Sequence, residues 1–218
     1  MRLAISLFLV FLTLPGTAAA AEISLRLDPP EVRYGAAHHA GGRLLEGPSP
    51  LAGRQVQLQG REYPYDGAFK TLATATTDGN GAYAFTRKFD RNMQLQAVAP
   101  DAGATSPLVR AYVFPRPRST FMGLSRNRLK IVQFLRTPPN VMLSAFTNFY
   151  LGARHARTGR RVARAKPRRI GRGRFRATAT VKLPARWNGR FKYASCFRYS
   201  EGSGLGNPDA SCPKRWRF

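Results

Sequence analysis

The chain has 218 residues, of which 43% are hydrophobic, and a formal net charge of +25 at pH 7. This apolar content excludes a wholly disordered chain, and the length allows one or two compact domains. A charge of this size must attract polyanions at low salt.

Residues 1–21 have the three parts of a secretory signal peptide. Arg2 precedes an apolar run over residues 3–14, and a helix breaker and small residues follow up to Ala21. The run has 12 residues, whereas a transmembrane helix needs about 20. We therefore predict cleavage after Ala20 or Ala21, and a mature chain that is secreted and extracellular or associated with the cell wall.

Polar and apolar residues alternate in short segments after the signal peptide, which predicts strands. Within residues 54–60 Val56 and Leu58 take the inward positions, and glutamines take the outward ones. The predicted strands of this half cover 23–27, 38–45, 54–60, 70–77, 82–89, 93–99 and 108–114. About seven short strands at this spacing predict an immunoglobulin-like sandwich over residues 22–114.

A tight turn is predicted between the fourth and fifth of these strands. Asp78, Gly79, Asn80 and Gly81 tolerate the positive φ angles that a sharp reversal requires. Because the sequence alternates on both sides, the segments 70–77 and 82–89 are predicted to be the two arms of one hairpin.

The residues of this turn carry a family resemblance. Asp78, Gly81, Tyr83 and Phe85 form the pattern D-x-x-G-x-Y-x-F, and the pattern G-x-x-V-x-L begins upstream at Gly53. The combination resembles bacterial carboxypeptidase-regulatory-like domains and related secreted immunoglobulin-like β-sandwich domains. Such domains are mostly spacers and stalks, so the resemblance implies an extracellular structural or interaction role.

Residues 115–118, Pro-Arg-Pro-Arg, are predicted to interrupt any strand and to link two domains, because alternating prolines remove hydrogen-bond donors. In the second half, strands are predicted at 128–135, 141–149, 175–183 and 191–197. The predicted fold class is therefore all-β, with two consecutive immunoglobulin-like antiparallel β-sandwich domains after a cleaved signal peptide. The second domain covers residues 119–218, and its C-terminal region is only loosely similar to the same family.

Cys196 and Cys212 are the only cysteines of the chain, and a loop rich in Gly, Asn and Pro separates them. In an exported protein such a pair predicts a disulfide. A metal pair or a redox pair is the alternative, but the chain has no C-x-x-C spacing and no histidine near these cysteines.

Charge divides the chain into two unlike halves. Residues 22–114 contain 10 Lys and Arg against 9 Asp and Glu, whereas residues 115–218 contain 25 against 2. One stretch holds eleven cations and no acid: Arg154, Arg157, Arg160, Arg161, Arg164, Lys166, Arg168, Arg169, Arg172, Arg174 and Arg176. These residues are either a solvated face or a polyanion-binding surface, since arginine forks bind phosphate groups in a bidentate manner.

The sequence offers few residues for catalysis. His38 and His39 are adjacent and point to opposite faces of a strand, and His155 lies within the basic stretch. The second half has only the acids Glu201 and Asp209, which flank or lie in the loop between the cysteines. We therefore expect no catalytic residue, no metal site and no cofactor.

These observations predict a secreted, non-catalytic protein with a structural or interaction role at the cell envelope or outside the cell. Its basic C-terminal domain would dock on an anionic cell-wall polymer or on membrane headgroups, and would bind nucleic acid only non-specifically. The alternative is a carbohydrate-binding module, or an accessory domain of an extracellular hydrolase system, which would use aromatic residues such as Tyr63, Tyr65, Trp187, Tyr193 and Trp216 as a sugar platform.

Overall fold

The computed structural model describes residues 19–125, 127–187, 190–198 and 202–218. Within these ranges the chain forms 19 strands, two 3₁₀ turns at Pro100–Ala102 and Ala185–Trp187, and no α-helix. The all-β prediction is therefore confirmed. Residues 1–18 of the predicted signal peptide lie outside the described residues. Ala21, the last residue of the predicted peptide, belongs to the first strand.

The N-terminal half forms two sheets that face each other. Its strands are β1 Ala21–Ile23, β2 Arg26–Leu27, β3 Glu31–Arg33, β4 His38–Glu46, β5 Ser49–Pro50, β6 Gln55–Glu62, β7 Lys70–Thr76, β8 Ala82–Arg87, β9 Met93–Ala99, β10 Ala104–Thr105 and β11 Val109–Phe114. In one sheet β4 pairs with β1, β2, β5 and β8; the other has the order β3-β11-β9-β6-β7, with β10 beside β9. The pairs are antiparallel except β3 with β11, which is parallel.

The core of this half lies between the two sheets. Leu44 of one sheet and Leu58 and Leu95 of the other are completely buried in the same apolar cluster. Val56 is buried as well, while Gln57 on the other face of β6 is only half-buried. The alternation predicted for this strand is thus confirmed, and each such buried side chain stabilises the fold by about 1.5–3 kcal/mol.

The turn at residues 78–81 forms, but the hairpin predicted around it is wrong. The Asp78 carboxylate accepts the backbone N–H groups of Asn80 at 2.8 Å and Ala82 at 2.9 Å, which closes the turn. Strand β7 nevertheless pairs with β6, and β8 pairs with β4 in the opposite sheet. The alternating pattern is the same whether two arms pair or cross between sheets, so the local sequence does not distinguish the two arrangements.

The C-terminal half forms a second pair of sheets. Its strands are β12 Arg116–Ser125, β13 Arg128–Arg136, β14 Thr147–Ala153, β15 Thr158–Ala165, β16 Arg168–Gly171, β17 Arg174–Lys182, β18 Phe191–Phe197 and β19 Arg215–Arg217. The sheet orders are β12-β13-β17-β16 and β18-β14-β15-β19, and all pairs are antiparallel. Ile131, Phe149 and Ala177 lie completely buried between them.

Three of the strands predicted in this half are confirmed, and the fourth begins later in the chain than predicted. The predicted segment 141–149 is a loop for most of its length, and the strand begins only at Thr147. Strands β12, β15, β16 and β19 were not predicted; the last three are rich in arginine, which obscures the alternation. In β15 a bulge opposite Phe149 and Tyr150 also shifts the register, so that its side chains do not follow a strict period of two.

The expectation that the prolines of residues 115–118 interrupt any strand is wrong. Strand β12 starts at Arg116, and Pro117 lies opposite Leu135 of β13. Because β12 is an edge strand of its sheet, one row of its N–H groups faces away from β13, and a proline on that side removes no ladder bond. The chain does change from one pair of sheets to the other at Pro115, while the number of independent domains stays a prediction.

One apolar cluster and a set of hydrogen bonds join the two halves. Val113 of β11 packs in this cluster with Leu135, Phe175 and Leu205 of the second half. Asn92, which is 1% exposed, donates its backbone N–H to the Gly204 carbonyl at 2.7 Å. The loop between the cysteines thus rests on the N-terminal half.

Candidate functional site

All eleven cations of residues 154–176 are exposed. The structure does not collect them on one surface, however. Arg160, Arg161 and Arg164 belong to β15, whereas Arg168 and Arg174 belong to β16 and β17 of the other sheet. The polyanion-binding surface expected from the sequence is therefore divided between two sheets that pack against each other.

The outer face of the sheet β12-β13-β17-β16 gathers arginines in rows across its strands. In one row Arg116 lies opposite Arg136, and Arg136 lies opposite Arg174. In the next row Arg118 lies opposite Phe134, Phe134 opposite Arg176, and Arg176 opposite Arg168. We call this surface the arginine face, defined by Arg116, Arg118, Arg136, Arg168, Arg174 and Arg176.

The arginine face carries uncompensated charge. Like charges at directly opposed positions destabilise a sheet, and the paired positions of these strands supply no acid. Among the described residues, one ion pair occurs, and it joins Arg91 and Glu62 of the N-terminal half at 3.5 Å. Asp209 points toward the N-terminal half as well, where its carboxylate accepts a 3.4 Å hydrogen bond from Tyr112.

Three residues of the arginine face escaped the sequence prediction. Arg116 and Arg118 belonged to the predicted linker, and Arg136 follows the first strand predicted in the second half, 128–135. The sequence did indicate part of this face, because Arg174, Arg176 and Lys182 occupy alternate positions of β17 and therefore point to the same side. Locating the other arginines on that face requires the pairing of β12 and β13, which the sequence does not show.

The predicted disulfide is confirmed. Cys196 of β18 and Cys212 are joined, with their Cα atoms 5.7 Å apart. The bond holds the C-terminal segment over the outer face of the sheet β18-β14-β15-β19. Tyr150, fully buried in that sheet, donates its hydroxyl to the Pro213 carbonyl at 2.6 Å, and its ring lies 5.6 Å from that of Trp216.

His38 and His39 lie on opposite faces of β4, as the sequence predicts. His38 is 1% exposed, and burial holds its pKa below the ordinary value, opposed in part by the backbone of Tyr112 and Pro30. His39 is exposed on the other face of β4 and bonds to Thr86 at 3.1 Å. No group of three or more His, Cys, Asp or Glu side chains that could hold a metal ion occurs in the part of the chain that the structure describes.

The ring contacts of the aromatic residues that could form a sugar platform are edge-on or tilted, except that Tyr193 stacks at 29° on the completely buried Phe149. Tyr63 and Tyr65 meet at 81°, and Trp216 is inclined by 44° to Tyr150. Tyr193 packs against Phe121 at 77°, with their ring centres 4.9 Å apart. These pairs do not present a common flat surface to a sugar ring.

A groove of about 690 Å³ runs between the two halves. Phe114, Trp216 and the buried amide of Gln133 contribute to its lining. The Gln133 Nε2 donates to the Ser195 hydroxyl at 2.6 Å, while its Oε1 has no partner among the described residues. The mixed lining of aromatic, amide and arginine side chains favours no single class of ligand.

No protein-family model matches the sequence, and no curated protein matches it either. Among solved structures, the chain is similar to Escherichia coli alpha-2-macroglobulin activated by porcine elastase, with a TM-score of 0.35 and 10% identity over 94% of this chain and 22% of that chain. The chain is also similar to the native conformation of the same macroglobulin, with a TM-score of 0.35 and 10% identity. This match covers 90% of this chain and 16% of that chain. The chain thus spans less than a quarter of either, and a likeness of this size identifies no family.

No helix within the described ranges combines the length and the apolar character that crossing a membrane requires.

Proposed function

We propose that this protein is exported and acts by binding rather than catalysis, with the arginine face docking on a phosphate-rich anionic polymer of the cell envelope. The observation that carries the proposal is the pair of arginine rows on one sheet, exposed and without acidic partners across the strands. Such an arrangement costs stability in the free protein, and a bound polyanion offsets that cost.

Export is supported by two independent features. The disulfide between Cys196 and Cys212 is typical of proteins in oxidising compartments. The N-terminal sequence has the pattern of a secretory signal peptide. Together they favour the cell envelope or the extracellular space as the place of action.

Membership of the immunoglobulin-like, carboxypeptidase-regulatory-like group belongs to the same proposal. The apolar motif residues Val56, Leu58, Tyr83 and Phe85 all lie in the core of the N-terminal half, as a sandwich with this motif requires. In such a protein the nearly neutral N-terminal half serves as a spacer, and the basic half makes the contact.

A flat face suits an extended polymer better than a small ligand. Neighbouring strands are about 4.8 Å apart, so the rows place cationic side chains at short intervals in two directions. Arginine forks at such intervals can contact successive phosphates in a bidentate manner. Nucleic acid is then a non-specific competitor, because phosphate contacts alone carry no sequence information.

Binding of the full mature chain to poly(glycerol phosphate), to a neutral glucan and to duplex DNA tests the proposal. We expect binding to the phosphate polymer with a steep decrease on added salt, since each neutralised phosphate contributes about 0.7 to the slope of log K against log salt for a single-stranded polyanion. The neutral glucan should not bind. Binding to the glucan that does not respond to salt would instead support a carbohydrate-binding module.

A matched pair of variants assigns the binding to the arginine face. One variant replaces Arg118, Arg136, Arg168, Arg174 and Arg176 with Gln. The control removes five exposed cations of the N-terminal half: Arg26, Arg54, Lys70, Arg87 and Lys88. The first should lose affinity and salt slope without loss of thermal stability, and the control should keep most of both. An equal loss in the two variants, or no binding to the polymer by the unmodified chain at about 50 mM salt where screening is still partial, would contradict the proposal.

A further inference from the structure

A small pocket lies on the sheet opposite the arginine face, beside the disulfide. Its volume is about 150 Å³, and it is lined by Phe146, Asn148, Arg161, Arg164, Arg198, Ser211 and Cys212. We call it the disulfide pocket. A water molecule takes about 30 Å³ of liquid volume, so the space accommodates one small polar group and no segment of a polymer.

The strand register explains how the pocket forms. Asn148 of β14 lies opposite Arg164 of β15 on one side and opposite Cys196 of β18 on the other. Side chains at opposed positions share a face of the sheet, so all three project to the outer side. The disulfide then ties Cys212 over this row, and the neighbouring Ser211 completes the wall.

Three arginines converge on this space without an acid. Arg161, Arg164 and Arg198 line the pocket, and no Asp or Glu is among its lining residues. Phe146 orients one of them, because the guanidinium carbon of Arg164 lies 3.9 Å from the centre of its ring. Stacked guanidinium groups keep their N–H donors in the plane of the fork, where they can bond to oxygen atoms.

Asn148 adds a neutral donor beneath the arginines. Asn148 is 2% exposed, and its side chain lines the pocket. An oxyanion in the pocket would accept hydrogen bonds from this amide and would neutralise the guanidinium groups.

We propose that the disulfide pocket binds a single phosphoryl group, either as inorganic phosphate or as a terminal phosphate monoester. Several guanidinium forks and an amide donor match the oxygens of a tetrahedral anion, and the lack of an acid favours the dianionic form. The site is separate from the arginine face, because it lies on the other sheet and is too small for a polymer chain. The proposal of a phosphoryl site is therefore independent of whether the arginine face docks on a polymer.

Calorimetric titration of the full mature chain at constant ionic strength tests this site with inorganic phosphate, glycerol phosphate and sulfate. We expect both phosphates to bind, and their affinity to increase as the pH rises through about 6, where the second phosphate proton dissociates. Binding of inorganic phosphate alone would restrict the site to the free ion, and binding of both would include monoesters. Sulfate binding of equal strength with no pH dependence would overturn the phosphoryl assignment.

Two variants test the residues. Changing Arg161, Arg164 and Arg198 to Gln should weaken phosphate binding at least tenfold, since charge-assisted hydrogen bonds from guanidinium groups to phosphate oxygens are lost. Asn148→Asp is nearly isosteric and places a carboxylate beside the arginines, so it should abolish phosphate binding and raise the melting temperature. A folded Asn148→Asp protein that binds phosphate as tightly as the unmodified chain would overturn the proposal.

The control changes Arg168, Arg174 and Arg176 on the arginine face to Gln and removes the same charge from the opposite sheet. Phosphate binding should persist in this variant, while polymer binding decreases. If both sets of substitutions reduce phosphate binding equally, the ion responds only to net charge and the pocket is not a site. Loss of polymer binding with intact phosphate binding would separate the two proposals.

Discussion

His38 is a residue whose protonation depends on the folded state. It is almost completely buried beside Phe89, and this burial lowers its pKa from the ordinary value of 6.5. Below pH 6.5 the unfolded chain therefore binds a proton at this side chain that the folded chain does not bind. The free energy of unfolding should be fully retained above about pH 6.5 and should decrease as the pH falls toward the folded-state pKa.

Urea unfolding at several pH values between about 5 and 8 measures this linkage, because unfolding free energies follow linearly from denaturant midpoints. Replacing His38 with Leu should flatten the pH dependence in the acidic part of the range. His39→Gln is the matched control, since His39 is exposed on the opposite face of β4, and it should leave the slope unchanged. The same slope in the His38→Leu protein would show that other groups cause the pH dependence.

At the scale of the elements, the disulfide attaches the C-terminal segment to its sheet. The two cysteines are 16 residues apart in sequence, and closing a loop of about this length stabilises the folded state by about 3 kcal/mol on the chain-entropy model. Changing both Cys196 and Cys212 to Ser should lower the unfolding free energy by about that amount. Guanidinium unfolding of the two proteins measures the difference.

Trp216 reports on the same element because it packs against Tyr150. In a Trp187→Phe background, loss of the disulfide should shift Trp216 fluorescence to longer wavelength as the segment leaves the sheet. The disulfide-containing Trp187→Phe protein is the control. An unchanged spectrum and an unchanged unfolding free energy would mean that β19 and the Tyr150 contacts hold the segment without the bond.

At the scale of the whole molecule, Asn92 connects the two halves. Its side-chain amide donates to the Gly206 carbonyl at 2.7 Å, and its Oδ1 accepts the Val113 N–H at 2.9 Å. Asn92→Ala leaves both backbone groups buried without these partners, at about 1–3 kcal/mol each. Calorimetry should show one cooperative transition for the unmodified chain, and an earlier or divided transition for the variant.

Asn207→Ala is the control for this interface. It removes the 2.7 Å hydrogen bond from Asn207 to Glu31 across the same two halves, but this bond is exposed. Exposed substitutions usually change stability by less than about 0.5 kcal/mol. Two independent transitions in the unmodified chain, or equal effects of the two substitutions, would show that the halves fold separately.

The sequence by itself determined the strands that bury one face, because alternation of apolar and polar residues directly reflects a half-buried sheet. Val56 and Leu58 in β6, and Phe175, Ala177 and Val181 in β17, were identified in this way. It also determined the cysteine pair and the contrast in charge between the halves. These features depend on residue type and order alone.

Tertiary structure decided how the strands meet. The turn at Asp78 has the same local bonds whether its arms pair or cross between sheets, and only the completed core selects the crossing. Pro117 is accepted in a strand because β12 lies at an edge. The arginine face and the disulfide pocket likewise arise from register, which places Arg116, Arg136 and Arg174 in one row and Asn148 beside Arg164. Register is set by long-range packing, so no local pattern in the sequence encodes these neighbours.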